Sequence, residues 1–333
     1  MGDRLADAAD KSVRGSLILF LGEAGSIIIL AAGSILIARF LGPEYYGVYA
    51  ISLAVPAILI YLIGLGLDEA IIRFSAKLRS ENRPKQLLNL MNSVIAFRLV
   101  LGLVMWLVSF LFSDVLASIL LNRPSVGFHV KLASFVIIFQ TLFNLLYGVY
   151  VGLDRYDVGA LMKISMSIVK ATFAPLLVLA GLGVIGAVLG HVLGFATSAT
   201  IAMFMLYLGP YKILKSATRD WRENEISFMG SLKTTIGYGL PLYVSSLMLL
   251  LIEQYRIILL AYNVSDLEIG NFQAAVNFTT LLITISTPIS MALFPAFSKI
   301  DNAGEEIRNA FQYSVKYTGN VDRPGRSIHN PFV

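Results

Sequence analysis

Long apolar stretches alternate with short polar connections along most of the 333 residues. A membrane-spanning helix needs roughly 20 apolar residues, and eight stretches of the chain meet that length. We predict spans at about 17–38, 47–67, 88–112, 130–152, 159–180, 184–208, 237–261 and 267–294. A ninth apolar segment begins near Ile307 and stops. The pattern predicts an all-α, polytopic membrane helix bundle.

Composition supports this prediction. Hydrophobic residues make up 56% of the chain and charged residues 14%, whereas soluble domains carry about 25% charged residues. The net charge of +5 therefore does not indicate a nucleic-acid partner. The absence of cysteine excludes disulfides, thiolate metal sites and thiol catalysis.

Basic residues concentrate in alternate connections, which would all lie on one side of the membrane. Cytoplasmic loops carry the excess of Lys and Arg, so the N-terminus is predicted to be cytoplasmic and the chain to cross the cell membrane repeatedly. The basic connections contain Arg73, Lys77, Arg79, Arg83 and Lys85 after span two, Arg155 after span four, and Lys212, Lys215, Arg219, Arg222 and Lys233 after span six.

The spans group into two lobes of unequal length. Residues 1–209 form a predicted six-span lobe, and 210–236 form a cytoplasmic linker. Residues 237–318 form a partial second lobe, and 319–333 form a polar tail. The predicted bundle therefore has one six-helix lobe and one incomplete lobe.

An internal repeat links the two lobes at an offset of 223 residues. Gly47 aligns with Gly270, and Phe74-Ser75 aligns with Phe297-Ser298. Spans one and two thus recur as spans seven and eight, although shared turn chemistry alone also accounts for the glycine match. Repeats of this kind build transporters whose substrate site lies between the lobes.

Four segments together resemble a known family: ARFLGPEYYGVYAISLAV after span one, GVYVGLDRYDVGALMKI across spans four and five, YGLPLYVSSL in span seven and ALFPAFSKI after span eight. Over about residues 12–318 the chain is similar to the Wzx-type oligosaccharide flippases of the multidrug/oligosaccharidyl-lipid/polysaccharide exporter (MOP) superfamily. The resemblance implies two six-helix lobes around a central cavity. It also implies movement of prenyl-linked sugars from the inner to the outer leaflet.

The chain departs from this family in two ways. The family has twelve or more spans, whereas the second lobe here contains two spans and part of a third. The residues after Gly319 resemble nothing in the family. We therefore expect either a truncated flippase or a chain that needs a partner to complete the cavity.

Charged residues inside spans are costly and usually face a cavity or a partner. A phosphate or pyrophosphate headgroup would need cations, and the candidates are Arg98 in span three, Lys170 in span five and Arg256 in span seven. Lys163, Ser167 and Lys170 form a stripe on one helical face. Lys163 lies close enough to the cytoplasmic end to extend its ammonium to the interface.

Sugar hydroxyls would need amides, hydroxyls and aromatic faces, and three spans each offer one polar face. Together these faces predict a polar central cavity. The candidate sugar contacts are Gln140, Asn144 and Tyr147 on span four, Tyr243 on span seven, and Gln273 and Asn277 on span eight, where Thr280, Thr284 and Thr287 continue the stripe.

Several of these residues also have structural interpretations. Glu23 either binds a coupling ion or pairs with Arg98 or another cation. Glu253 and Arg256 lie three residues apart and suit a self-neutralised pair. His191 lies beside Gly186, Gly190 and Gly194, which predict a helix-packing face; the histidine is predicted to be a hydrogen-bonding neighbour rather than a proton carrier.

No nucleotide-binding loop, metal-ligand cluster or catalytic triad is present in the sequence. We therefore predict neither an enzyme nor a cofactor or metal site. The expected partners are a lipid-linked sugar, membrane lipid and other membrane proteins of glycan assembly.

Two other functions compete with the flippase. The first is a cation-coupled multidrug exporter of the same superfamily, which favours acids in its cavity. Four interior cations (Arg98, Lys163, Lys170 and Arg256) against two acids (Glu23 and Glu253) suggest a positive cavity instead. The second is a non-transporting membrane bundle.

Overall fold

The computed structural model describes residues 2–217 and 228–280, without the side chains of residues 2–13, 228, 249, 251 and 253. All of the regular structure in these ranges is helical, which confirms the all-α prediction. The helices are α1 Gly2–Leu62, α2 Leu67–Ser80, α3 Pro84–Leu111, α4 Ser113–Leu121, α5 Gly127–Ala133, α6 Phe135–Gly152, α7 Tyr156–Leu177, α8 Gly183–Leu206, α9 Lys212–Ala217, α10 Phe228–Asn263 and α11, which covers 266–280.

By their contacts, residues 1–276 form one compact unit and residues 277–333 another. Of the second unit only 277–280 are described. Several predictions therefore lie outside the described residues: residues 218–227 of the linker, the end of span eight with Thr284 and Thr287, the repeat match at Phe297-Ser298, the ninth segment and the tail. The side chain of Glu253 is also outside them.

Four helical stretches in the described ranges are long and apolar enough to cross a membrane: Arg14–Leu62, Pro84–Leu111, Phe135–Gly152 and Tyr156–Ala217. The first contains 49 residues, about 74 Å of helix, against a hydrocarbon core of about 30 Å. It is kinked at Gly42, where φ is 73°, at the predicted Gly-Pro turn. The protein is a multi-pass membrane protein.

The second span differs from its prediction. The sequence places its end near residue 67, but Leu67 begins α2 after a short break at residues 63–66. This break contacts Arg98, near the middle of α3. One face of α2 then packs on α6, since Gly148 and Gly152 adjoin Ile71, Ile72 and Ser75. The predicted basic connection is therefore largely helical, and only residues 81–83 link α2 to α3.

The repeat-related glycines contact each other. A Cβ on Gly47 would lie 3.1 Å from the Gly270 nitrogen and would clash with the Asp266 carbonyl. A Cβ on Gly270 would lie 3.0 Å from the Gly47 nitrogen and would clash with the Pro43 carbonyl. Pro43 and Asp266 are themselves related by the offset of 223. Such reciprocal contacts are typical of a two-fold axis, so a local two-fold relates the start of the second span to α11.

Arg123 ties the α4–α5 connection to the end of α10. Its Nε donates to the Ala261 carbonyl at 3.0 Å, an Nη donates to the Val264 carbonyl, and its other Nη pairs with Asp266 at 3.1 Å. The Tyr262 hydroxyl donates to the Ile119 carbonyl. A guanidinium at a helix C-terminus bonds otherwise unpaired carbonyls and complements the helix dipole. We call these contacts the Arg123 latch.

Loss of the latch is expected to loosen the junction between α10 and α11. The chain has no native cysteine, so one placed by Ile269→Cys, at a fully buried position, reports access. With Arg123→Ala, maleimide labelling should accelerate roughly 5–30-fold, because charged hydrogen bonds worth about 1–2 kcal/mol are lost. Arg155→Ala, which removes an exposed pair with Asp157, is the matched control. Equal labelling rates in the two variants would contradict this role.

The predicted glycine face of α8 is confirmed. Added Cβ atoms would meet the backbone of Leu177 at Gly186, of Ala174 at Gly190 and of Met166 at Gly194. Each glycine therefore lets α8 approach α7 and the turn after it more closely than a side chain would permit.

Candidate functional site

A cavity of about 160 Å³ lies beside the break in the second span. Four predicted site residues line it: Arg98, Gln140, Asn144 and Tyr243. Drug-sized ligands occupy pockets of about 300–1,000 Å³, so this cavity suits one polar part of a larger molecule. Its other lining residues are Ile60, Tyr61, Gly64, Gly66, Asp68, Glu69 and Ser246.

Arg98 is almost fully buried, with 1% of its surface exposed. One Nη donates to the carbonyls of Ile63 at 2.6 Å and Gly64 at 2.9 Å. The other Nη lies 3.3 and 3.1 Å from the two carboxylate oxygens of Asp68. The Arg98 charge is therefore neutralised within the chain, whereas the sequence suggested that it is free for a phosphate.

Gln140 and Asn144 lie one turn apart on α6 and share a face. Both are partly buried, and neither amide is hydrogen-bonded to another described residue. Buried amides normally find partners, so these two are available to a ligand or water. Across the cavity, the Tyr243 hydroxyl donates to the Leu62 carbonyl at 2.7 Å, which presents its ring as part of the wall.

Sequence reasoning missed the two acids of the cavity, Asp68 and Glu69. Glu69 is exposed and makes no ion pair within the described ranges. The signal was present in the sequence Gly64-Leu65-Gly66-Leu67-Asp68-Glu69, because glycines mark the end of one helix and acids in the next turn mark the start of another. The sequence pattern predicts the end of a span at these residues, whereas the structure has a break followed by a new helix.

A second polar cluster joins α1, α6 and α7. The Lys163 ammonium pairs with Glu23 at 3.0 Å and lies 5.2 Å from the centre of the Tyr147 ring. One turn further, the Ser26 and Ser167 hydroxyls are 2.5 Å apart. Of the two interpretations of Glu23, the structure has the pairing, with Lys163 rather than Arg98.

Lys170 lies on the same stripe, two turns beyond Lys163. Its ammonium is partly buried and has no carboxylate or hydrogen-bond partner among the residues described. The absence of a side chain at Gly194 leaves room for the Lys170 side chain, since a Cβ on Gly194 would lie 3.0 Å from the Lys170 Cβ. His191 Nδ1 lies 3.3 Å from the Tyr49 hydroxyl, as expected for a hydrogen-bonding neighbour.

Arg256 and Gln273 are not among the described residues that line the cavity. The Arg256 guanidinium is 5.4 Å from the centre of the Phe272 ring. This contact connects α10 to α11. Gln273 lies one residue beyond Phe272. Asn277 belongs to the second unit and is not placed relative to the cavity.

The ion pairs of the structure change the net charge expected for the cavity. Lys163 is paired with Glu23, and Arg98 is paired with Asp68. Glu69 leaves the described lining of the cavity with one net negative charge. The positive cavity expected from counting interior charges does not form around these residues. The count includes charged residues that face a neighbouring helix together with those that face the cavity.

A family profile described as polysaccharide biosynthesis protein matches residues 36–325. The chain belongs to this family. The match covers most of both predicted lobes and extends into the segment 319–333. No curated protein matches the chain.

Solved structures identify the fold of this family member. The MATE multidrug transporter DinF-BH, solved as a complex, has a TM-score of 0.65 at 16% identity over 94% of this chain and 69% of its own. A MATE protein in the straight conformation gives 0.60 at 17%, over 94% and 70%. A MOP superfamily transporter from Pyrococcus furiosus, described as having a binding pocket of reverse polarity, gives 0.57 at 16%, over 92% and 68%. The chain thus has the fold of the MOP transporters, and these neighbours are transporters rather than enzymes.

Proposed function

We propose that this polysaccharide biosynthesis protein flips a lipid-linked oligosaccharide from the inner to the outer leaflet by alternating access. The observation that supports this proposal is the cavity, where the amides of Gln140 and Asn144, which have no hydrogen-bond partner among the described residues, lie with the aromatic rings of Tyr61 and Tyr243. Amides donate and accept hydrogen bonds at once, which suits neighbouring sugar hydroxyls. The family match supports the link to glycan synthesis.

The cavity is proposed as the subsite for one sugar unit. Glu69 adds a carboxylate acceptor for hydroxyls, and the Tyr243 ring offers an apolar face for the pyranose. The limited volume fits a single ring while the rest of the glycan extends away. The prenyl chain would remain in the bilayer.

The phosphate is proposed to bind elsewhere. Arg98 is occupied by Asp68 and two carbonyls, which leaves Lys170 and Arg256 as the candidate cations. Lys170 is favoured, because its ammonium has no acid partner among the residues that the structure describes and would therefore gain most from an anion. The proposed orientation places the N-terminus and the connections after α2 and α6 in the cytoplasm, as the distribution of basic residues predicts.

One observation favours a second function, export of organic cations. Glu69 gives the described cavity an unpaired acid, which would attract a cation. The structural neighbours include a MATE protein described as a multidrug transporter. This rival differs from the flippase in ligand, so a binding experiment separates the two.

The experiment compares ligands by the thermal unfolding midpoint of the purified chain in detergent. A polyprenyl-pyrophosphate-linked sugar should raise the midpoint, and tetraphenylphosphonium, a lipophilic organic cation, should not. The Asn144→Ala variant should lose most of the response, because an amide lost from a buried hydrogen bond costs about 1–3 kcal/mol. Thr197→Ala, at a hydroxyl that bonds its own helix, is the matched control. A response to tetraphenylphosphonium that depends on Glu69, with none to the lipid-linked sugar, would favour the exporter.

A further inference from the structure

The break in the second span exposes backbone carbonyls in the interior of the bundle. Leu65 and Gly66 have left-handed φ values of 49° and 65°, so the helix of α1 cannot continue through them. The Leu62 and Ile63 carbonyls consequently lose their helical donors, whereas the Gly64 carbonyl still accepts from the Leu67 amide at 3.0 Å. Ile63 is buried, and buried backbone carbonyls need hydrogen-bond partners inside the protein.

Two side chains from different helices supply those partners. The Leu62 carbonyl accepts from Tyr243 of α10. The Ile63 and Gly64 carbonyls accept from the guanidinium of Arg98 on α3. Across the break, the backbones of Gly66 and Gly239 are close enough that a Cβ on Gly239 would lie 2.6 Å from the Gly66 carbonyl oxygen. The break therefore joins α3 and α10 as well as the two halves of its own span.

The ligands around Arg98 are those of a cation site. Carbonyl oxygens of an unwound helix, supplemented by a carboxylate, coordinate Na⁺ at discontinuous helices of secondary transporters. Here Ile63 O, Gly64 O and the Asp68 carboxylate converge on the guanidinium. The guanidinium is planar and presents its donors in a fixed fork, so one residue contacts all three groups.

We propose that Arg98 is a built-in cation: its guanidinium occupies a carbonyl-and-carboxylate site that takes a free monovalent cation, above all a planar organic one, once the side chain is removed. Arg98 is thus a positioning residue that holds the break in shape. Na⁺ has no room in this site in the unaltered protein. The proposal is independent of the substrate that the cavity takes.

Chemical rescue of Arg98→Ala tests this inference. The variant leaves a guanidinium-sized space lined by two carbonyls and Asp68. Ethylguanidinium at about ten times its Kd should raise the unfolding midpoint of purified Arg98→Ala by roughly 2–4 °C. Tetramethylammonium, which lacks N–H donors, should have no effect. Neither ion should stabilise the unaltered protein, Arg155→Ala, or Arg98→Ala combined with Asp68→Asn.

The proposal is overturned if folded Arg98→Ala responds to ethylguanidinium no more than Arg155→Ala does. A response that survives Asp68→Asn undiminished overturns it too, because the carboxylate is part of the site. Should Arg98→Ala give no folded protein, Arg98→Lys decides. A folded lysine variant shows that a different tethered cation suffices, and failure of this variant to fold overturns the proposal.

Discussion

Gly270→Ala is expected to lower the free energy of unfolding by roughly 1–3 kcal/mol, the usual cost of forcing an extra group into a packed contact. The added methyl would overlap the Pro43 carbonyl, which is backbone and cannot rotate away. The start of the second span and α11 would have to separate. Gly47→Ala should cost a similar amount, because the local two-fold gives it the reciprocal contact with Asp266.

Gly237→Ala is the matched control. It also lies inside a helix, but a Cβ there meets nothing within 4 Å. Alanine should therefore be neutral or stabilising by up to about 1 kcal/mol, the propensity difference between the two residues. The thermal unfolding midpoints of the three variants in detergent provide the measurement. The Gly47→Ala/Gly270→Ala double variant should lose less than the sum of the single losses, since both substitutions open one contact. Equal midpoints for Gly270→Ala and Gly237→Ala would refute the close approach.

Asp68→Asn is expected to be the most damaging single change at the cavity. It leaves the Arg98 guanidinium with two carbonyls and no counter-charge at 1% exposure. Breaking one side of a buried ion pair costs about 3–5 kcal/mol. The lower end, about 3 kcal/mol, applies here because the Asp68 side chain is 30% exposed.

Glu69→Gln controls for the loss of a carboxylate at the next position. Glu69 makes no ion pair within the described chain, so the unfolding midpoint of Glu69→Gln should stay close to that of the unaltered protein. The corresponding change in the free energy of unfolding should be within about 0.5 kcal/mol. Asp68→Asn combined with Arg98→Met should regain stability, because an apolar pair is often as stable as a buried ion pair. If Asp68→Asn and Glu69→Gln unfold at the same temperature, the pair does not hold the break in place.

The sequence predicted the bundle well because hydrophobic length alone specifies a membrane-spanning helix. It failed at residues 63–68 for a physical reason. A break inside a span and the end of a span have the same composition, with glycines followed by the first acids. Only the contact with Arg98, near the middle of α3, distinguishes the two, and that contact depends on how two helices pack.

The candidate site was predictable only in part. Periodicity correctly grouped Gln140 with Asn144 and Lys163 with Ser167, because residues four apart share a helical face. It does not say what that face meets. The first pair faces a cavity, while the second pair faces Glu23 and Ser26 of α1. Likewise, the offset of 223 related Gly47 to Gly270, but their mutual contact follows only from the position of the two-fold axis.

Translocation in vesicles tests most directly whether this chain moves a lipid-linked sugar across a membrane. The purified chain is reconstituted into liposomes that carry a polyprenyl-pyrophosphate-linked sugar, and a lectin outside reports the sugars that arrive in the outer leaflet. Sugars from the inner leaflet should become accessible faster than in protein-free vesicles, and Asn144→Ala should slow this gain. If sugars become accessible only at the protein-free rate, while the same folded chain exports tetraphenylphosphonium from the vesicles, lipid-linked sugar transport by this chain is contradicted.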